Sequence, residues 1–305
     1  MTSRRLARPR RTLALLALAT VSACLSADPF FFNGREVDGY DWDADPPDPD
    51  LEGDLEDEAH PSRIGPESRV EGVIELAGRE VHYVYAHRDD AAATIFYSHG
   101  NHLNLGFYWQ RVELMWSWGY NVLIYDYPSY GLSTGDASEQ TMYENAEAAL
   151  ELLPTLPGVD PERVFFIGFS LGGAPATEMA IRAQRGEVSI RPRGLLTESA
   201  FCSAEALVQD GTWLNFSGEF LVDGAFDNCG RVAALDPSLR TYILHGTADS
   251  FVVPRHAEFL KRAAGDGARL EWFEGAEHSK VPLVDPPRYE ALLREFLTLE
   301  PAPAP

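Results

Sequence analysis

The sequence is short of positive charge. Its 305 residues carry 25 Lys and Arg against 47 Asp and Glu, a formal net charge of -22. Such a field repels polyanions, and no basic stripe interrupts it, so nucleic acid and bare anionic membrane are set aside as partners. No G-K-[ST] follows any glycine-rich turn, which removes a phosphate-cradling loop. The clustered acids lack the glycine-centred spacing of a calcium loop. His99 and His102 have no third ligand at a metal-site spacing. No internal repeat is present, and no cofactor is implied. Cysteine is scarce as well, with only three: Cys24, Cys202 and Cys229.

The arginines that do occur cluster at the start. MTSRRLARPRR holds no acid and precedes TLALLALATVSA, an apolar run too short for a stable transmembrane anchor. Residues 1–23 therefore read as a targeting segment. Val21-Ser22-Ala23-Cys24 resembles the bacterial lipoprotein box, in which a signal peptidase cuts before a cysteine that carries lipid. That resemblance implies an exported protein anchored through Cys24 to a bacterial membrane, on its periplasmic or extracellular face. The alternative is ordinary secretion with Cys24 incidental. Residues 24–61 are dense in Asp, Glu and Pro without apolar periodicity, and read as a disordered, self-repelling tether. In an oxidising compartment Cys202 and Cys229 are a plausible disulfide, closing a loop worth roughly 3 kcal/mol in chain-entropy terms. Two buried free thiols are the other reading.

From residue 62 to 299 the pattern changes, leaving 300–305 as a tail. VEGVIEL and VHYVYAH, separated by Ala77-Gly78-Arg79-Glu80, predict an antiparallel hairpin. ATIFYSHG, YNVLIYDY, RVFFIGFS, GLLTESA, RTYILHG and RLEWFEG follow, alternating with helical or irregular stretches. Continuous Val, Ile, Leu, Phe and Tyr runs suit strands covered on both faces. The expectation is an α/β domain with a mostly parallel eight-stranded sheet and helices on both faces. Residues 199–235 break the rhythm and read as a small cap after the sixth strand, flanked by the two spare cysteines.

The chemistry gathers at strand ends. Gly168-Phe169-Ser170-Leu171-Gly172 matches G-x-S-x-G, a strained strand-to-helix turn that displays a serine. HGTADSFV places Asp249 beyond the seventh strand, and EGAEHSK places His278 beyond the eighth. Serine, acid and histidine in that order predict a nucleophile, the carboxylate that orients the base, and the base. The backbone N–H groups of Leu171 and Asn101 are the expected oxyanion donors. Leu103, Trp213 and Phe216, with Phe220, are the expected substrate-facing apolar residues.

HGN, DYPSYGLSTG, GFSLGG, HGTADSFV and EHSK together resemble the α/β-hydrolase superfamily. Within it they are most similar to the branch of serine hydrolases that includes membrane-associated lysophospholipid lipases and protein depalmitoylases. The resemblance implies an α/β-hydrolase fold, Ser170, Asp249 and His278 as a catalytic triad, and cleavage of ester or thioester bonds in small-molecule or lipid substrates. A serine peptidase on the same fold and a non-catalytic binding lipoprotein are the alternatives. Two positions depart from the branch. Pro128-Ser129 interrupts its aspartate-tyrosine-arginine-glycine loop. Glu198 replaces a common proline, and reads as a second acid, an alternative triad partner or an ion pair to the cap. Oligomeric state is not legible.

Overall fold

The computed structural model describes residues 31–42, 64–211 and 225–298. Eight strands build one sheet: β1 (Arg69–Leu76), β2 (Arg79–Ala86), β3 (Thr94–Ser98), β4 (Asn121–Tyr125), β5 (Val164–Phe169), β6 (Gly194–Glu198), β7 (Arg240–Gly246) and β8 (Arg269–Phe273). Their spatial order is β1-β2-β4-β3-β5-β6-β7-β8. Only β2 runs against its neighbours, pairing antiparallel with β1 and β4. Every other pairing is parallel.

The continuous apolar runs are explained by the pleat, which sends successive side chains to opposite faces. Phe96 of β3 and Phe166 of β5 enter one core layer, beneath helices α2 (Glu139–Leu152), α3 (Gly173–Arg185) and α6 (Arg255–Ala264). Ile95, Tyr97, Phe165 and Ile167 enter the other, beneath α1 (Trp109–Ser117) and α7 (Pro286–Phe296). Both layers are needed because both sheet faces are greasy. The β1–β2 hairpin is tighter than the sequence predicts. Leu76 pairs directly with Arg79, so Arg79 and Glu80 belong to the strand. Gly78, at φ +84, permits the two-residue turn.

After β6 come α4 (Ala204–Gly211) and α5 (Asn228–Ala233), tied by the Cys202–Cys229 disulfide. Cys229 N–H also donates to the Cys202 carbonyl at 2.9 Å. The two ends of the expected cap are thus pinned together. Trp213, Phe216 and Phe220 lie outside the described residues, as do Cys24 and residues 1–23.

One expectation needs correction. Residues 31–42, assigned above to the disordered tether, form a strap docked on the domain. Asn33–Gly34 pair in parallel with His102–Leu103. Val37 N–H donates to the Gly131 carbonyl at 3.0 Å. Phe31 is only 6% exposed, and its ring lies 5.2 Å from that of Phe226. Tyr40 stacks on Trp42, which lies 4.4 Å from Trp109 and under the Arg69 guanidinium. The aromatic side chains supply the apolar burial that the surrounding acids and prolines cannot. At the strap's end Trp42 Nε1 also donates to Glu71 of β1 at 3.1 Å.

Candidate active site

β5 ends at Phe169, and Ser170 follows at φ +52. A left-handed serine costs on the order of 1–2 kcal/mol and persists only where its surroundings enforce it. Two glycines supply the enforcement. A Cβ at Gly168 would stand 2.3 Å from the Gly172 carbonyl oxygen. One at Gly172 would stand 2.0 Å from the Ser98 oxygen and 2.5 Å from the His99 oxygen. The serine turn is therefore jammed against the end of β3. Gly172→Ala is expected to cost about 3 kcal/mol or more through backbone overpacking, lowering Tm by roughly 6–12 °C for a domain of this size. Calorimetry checks it.

Ser170 meets the two distant residues expected to join it. His278 Nε2 lies 2.9 Å from Ser170 Oγ, and His278 Nδ1 lies 2.8 Å from Asp249 Oδ2. Asp249 is 2% exposed, and its Oδ1 accepts from the N–H groups of Phe251 at 3.0 Å and Val252 at 2.8 Å. A carboxylate fixed in this way accepts from Nδ1–H and leaves Nε2 with a lone pair for the serine hydroxyl. The rings of Phe169 and Phe251 flank the imidazole at 5.3 and 5.0 Å. Its main chain is held too. Ser199 Oγ donates to the His278 carbonyl at 2.8 Å, and Arg111 Nη2 donates to the Ser279 carbonyl at 3.1 Å. Such a chain can draw a proton from serine oxygen and return it to a leaving group.

Glu198 does not join this chain. Its carboxylate is buried, accepting from Arg111 Nη1 at 2.8 Å and from the Tyr289 hydroxyl at 2.7 Å. Of the three readings, the ion pair is the one observed, but its cation comes from α1 and not from the cap. Burial, and then the Glu198 charge, push the Tyr289 phenol well above its ordinary pKa. Arg111 also lies 4.2 Å over the Phe169 ring, directly before the serine.

The loop after β3 carries Asn101. Its carbonyl accepts from the Tyr130 hydroxyl at 3.0 Å, and the preceding His99 carbonyl accepts from Tyr127 at 2.6 Å. The DYPSYG stretch thus braces the loop with two phenols, and its leading Asp126 accepts from Leu105 N–H at 2.8 Å and Tyr40 at 2.6 Å. Ser129, where the branch pattern is broken, takes φ +64. Leu171 is buried immediately after Ser170. Leu103 sits at φ +52 and pairs with Gly34, so its backbone serves the strap. The strap residue Phe31 and the cluster of Phe201 and Phe226 beside it were not anticipated. The FFF run at 30–32, three aromatics amid acids, was the available signal.

His99 is fully buried, stacked 4.2 Å from Tyr127, with Nδ1 donating to the Gly100 carbonyl at 2.7 Å. Burial pulls its pKa down to about 4, although nearby Asp126 opposes the shift. The unfolded chain protonates near the ordinary 6.5, so unfolding takes up a proton between those values. Stability is full above about pH 6.5 and falls towards pH 4, by roughly 1 kcal/mol per pH unit for this residue. Urea midpoints at pH 7.5 and 5.5 should show the loss, and His99→Gln should reduce it without abolishing it, because burial also pulls down the pKa of His256, to about 4, and that of His245.

Residues 95–228 match the family described as "Alpha/beta hydrolase family". The fold is that of the α/β-hydrolases. The chain is 27% identical over 190 residues to the uncharacterized protein YfhR of Escherichia coli K12, covering 62% of this chain and 64% of that one. It is 29% identical to the alpha/beta hydrolase domain-containing protein aho-3 of Caenorhabditis elegans, covering 68% of this chain and 58% of that one. The matched stretch therefore spans less than two thirds of both relatives. Human alpha/beta hydrolase domain-containing protein 17B is 28% identical, with 69% and 68% covered. Among solved structures, an esterase of Pyrococcus furiosus superposes with TM-score 0.61 at 16% identity, covering 75% of this chain and 89% of that one. An α/β-hydrolase of Vibrio vulnificus gives 0.60 at 17%, covering 74% and 81%. Likeness at that identity concerns the fold.

Proposed function

We propose that the protein is a serine hydrolase cleaving carboxylic esters or thioesters of acyl or lipid-like substrates through an acyl-enzyme. The observation that carries this reading is the Ser170–His278–Asp249 hydrogen-bond chain on a serine held at φ +52. Ser170 Oγ attacks the acyl carbon while His278 Nε2 takes its proton. The tetrahedral oxyanion is met by the N–H groups of Leu171 and Asn101. Collapse breaks the acyl–oxygen or acyl–sulfur bond, and the imidazolium gives its proton to the departing group. Water, deprotonated by the same nitrogen, then releases the acid and restores the serine. Asp249 orients the imidazole and stabilises its charged form.

Apolar surroundings favour an acyl chain over a charged substrate. Phe169 and Phe251 flank the histidine, and Phe251 is 58% exposed beside it. Export with a lipid on Cys24 is part of the same reading, supported by the Cys202–Cys229 disulfide, which belongs to oxidising compartments.

Labelling of the purified protein with a fluorophosphonate, beside Ser170→Ala, tests the proposal. Labelling that disappears in the variant is expected. A folded wild-type protein that does not label with even a small alkyl fluorophosphonate would remove the enzyme reading and favour a binding lipoprotein. A panel of p-nitrophenyl esters against aminoacyl amides separates esterase from peptidase. Mass spectrometry of the membrane fraction, beside Cys24→Ser, tests the anchor.

A further inference from the structure

We infer that the N-terminal strap, residues 31–42, is a positioning element of the active site, holding the loop on which Asn101 would receive the oxyanion. The inference rests on the serine-hydrolase reading above. Three sets of contacts carry it.

The strap grips Asn101 from two sides. Asn101 Nδ2 donates to the Phe31 carbonyl at 3.2 Å. Asn33 N–H donates to Tyr130 Oη at 2.9 Å, and that hydroxyl donates onward to the Asn101 carbonyl at 3.0 Å. Residue 101 is thus fixed by side chain and main chain to two strap positions and their neighbour.

The strap also stitches together two loops that the domain leaves apart in sequence. Arg35 N–H donates to the Leu103 carbonyl at 2.7 Å, and the Arg35 carbonyl accepts from Gly131 N–H at 2.9 Å and from Asn104 Nδ2 at 3.2 Å. One residue therefore ties the loop after β3 to the loop after β4. Leu103 takes φ +52 at this junction, a conformation that needs external support in a non-glycine residue.

The strap is finally anchored at both ends. Phe31 and Phe32 pack with Phe201, Phe226 and Tyr130, next to the disulfide-pinned base of the cap. Tyr40 donates to Asp126 Oδ2, whose other oxygen accepts from Leu105 N–H in the same loop. A segment meant only to cover apolar surface would not need its polar groups divided between the Asn101 loop and the loop that braces it. Oxyanion donors act through placement, and a shift of a few tenths of an ångström weakens them in the transition state more than in substrate binding.

Two variants of the full chain test this. Deletion of residues 31–42 removes the strap. Gly34→Val displaces it, because a Cβ there would stand 2.4 Å from the Tyr130 ring and 2.7 Å from the Ser129 carbonyl oxygen. Each is compared with Leu292→Ala, a core truncation in α7 that lowers stability at a position outside the strap. Fluorophosphonate labelling rate and kcat for p-nitrophenyl acetate are expected to fall about 10- to 100-fold in the strap variants. KM should hold within about threefold, and Leu292→Ala should label at the wild-type rate when folded. A synthetic peptide of residues 31–42 should restore part of the loss in the deletion protein. A folded deletion protein labelling within twofold of wild type overturns the inference. Where the deletion does not fold, Gly34→Val decides: lost amide-exchange protection at Gly131 with unchanged labelling overturns it equally. A wild-type protein that fails to label removes the hydrolase reading itself, an outcome distinct from either.

Discussion

Asp249→Asn is expected to lower kcat for an activated acyl ester by about 10⁴-fold at pH 7, whereas Glu198→Gln should lower it less than tenfold. Glu198 ends β6 and Asp249 lies three residues beyond the end of the adjacent β7, and both are buried, so sequence position alone does not separate them. Their partners do. Asp249 Oδ2 receives His278 Nδ1–H, and an amide there would present N–H to N–H or turn the imidazole to the wrong tautomer. The remaining oxygen is already fixed by Phe251 and Val252 N–H, so the side chain cannot swing to compensate. Glu198 touches Arg111 and Tyr289, not the imidazole. Steady-state kinetics on both folded variants gives the answer. Equal losses would assign Glu198 a direct part in the reaction.

Arg111→Leu is expected to cost about 3–5 kcal/mol of stability, because it strands the Glu198 carboxylate in the interior. The pair is almost fully enclosed, with side chains 4% and 2% exposed. The variant also removes the donor to the Ser279 carbonyl, next to His278, so on the proposed mechanism activity should fall beyond what unfolding explains. The double variant Arg111→Met with Glu198→Leu should recover part of the stability, since it removes the stranded charge but leaves the buried Tyr289 hydroxyl without its acceptor. It should not recover the activity. Urea unfolding of the two variants beside wild type measures the first, and kcat at equal folded fraction the second. A single-variant loss below about 1 kcal/mol would mean that water reaches Glu198.

The parts of this architecture legible in the sequence are those written in local pattern. Strand cores such as FFIGF and NVLIY announce two-sided burial, and a serine between Gly168 and Gly172 announces a tight turn. Chain order suggested Ser170, Asp249 and His278 because each follows a recognisable strand, and the Cys202–Cys229 pair was one of two open readings. What stayed hidden depends on long-range packing. Glu198 finds Arg111 across 87 positions, which no window on either residue can see. The strap was masked by composition. Averaged over residues 24–61, acids and prolines dominate, and the few aromatics that pay for its docking disappear into the mean. The hairpin erred by two residues because Arg79 and Glu80 are polar, yet they pair at the edge of the sheet.

Docking of the strap also redefines the length of the leash. With a tether running from Cys24 to residue 61, a lipid-anchored domain could wander up to about 130 Å from the headgroups. Only residues 25–30 separate Cys24 from Phe31, a reach of at most about 25 Å. Phe31 in turn sits against Asn101. If Cys24 carries lipid, the face bearing Asn101 is therefore held close to the bilayer that bears the anchor, and its accessible volume is a shallow layer and not a deep shell. Confinement of that kind raises the effective concentration of acyl groups presented by the same leaflet over those dissolved beyond it.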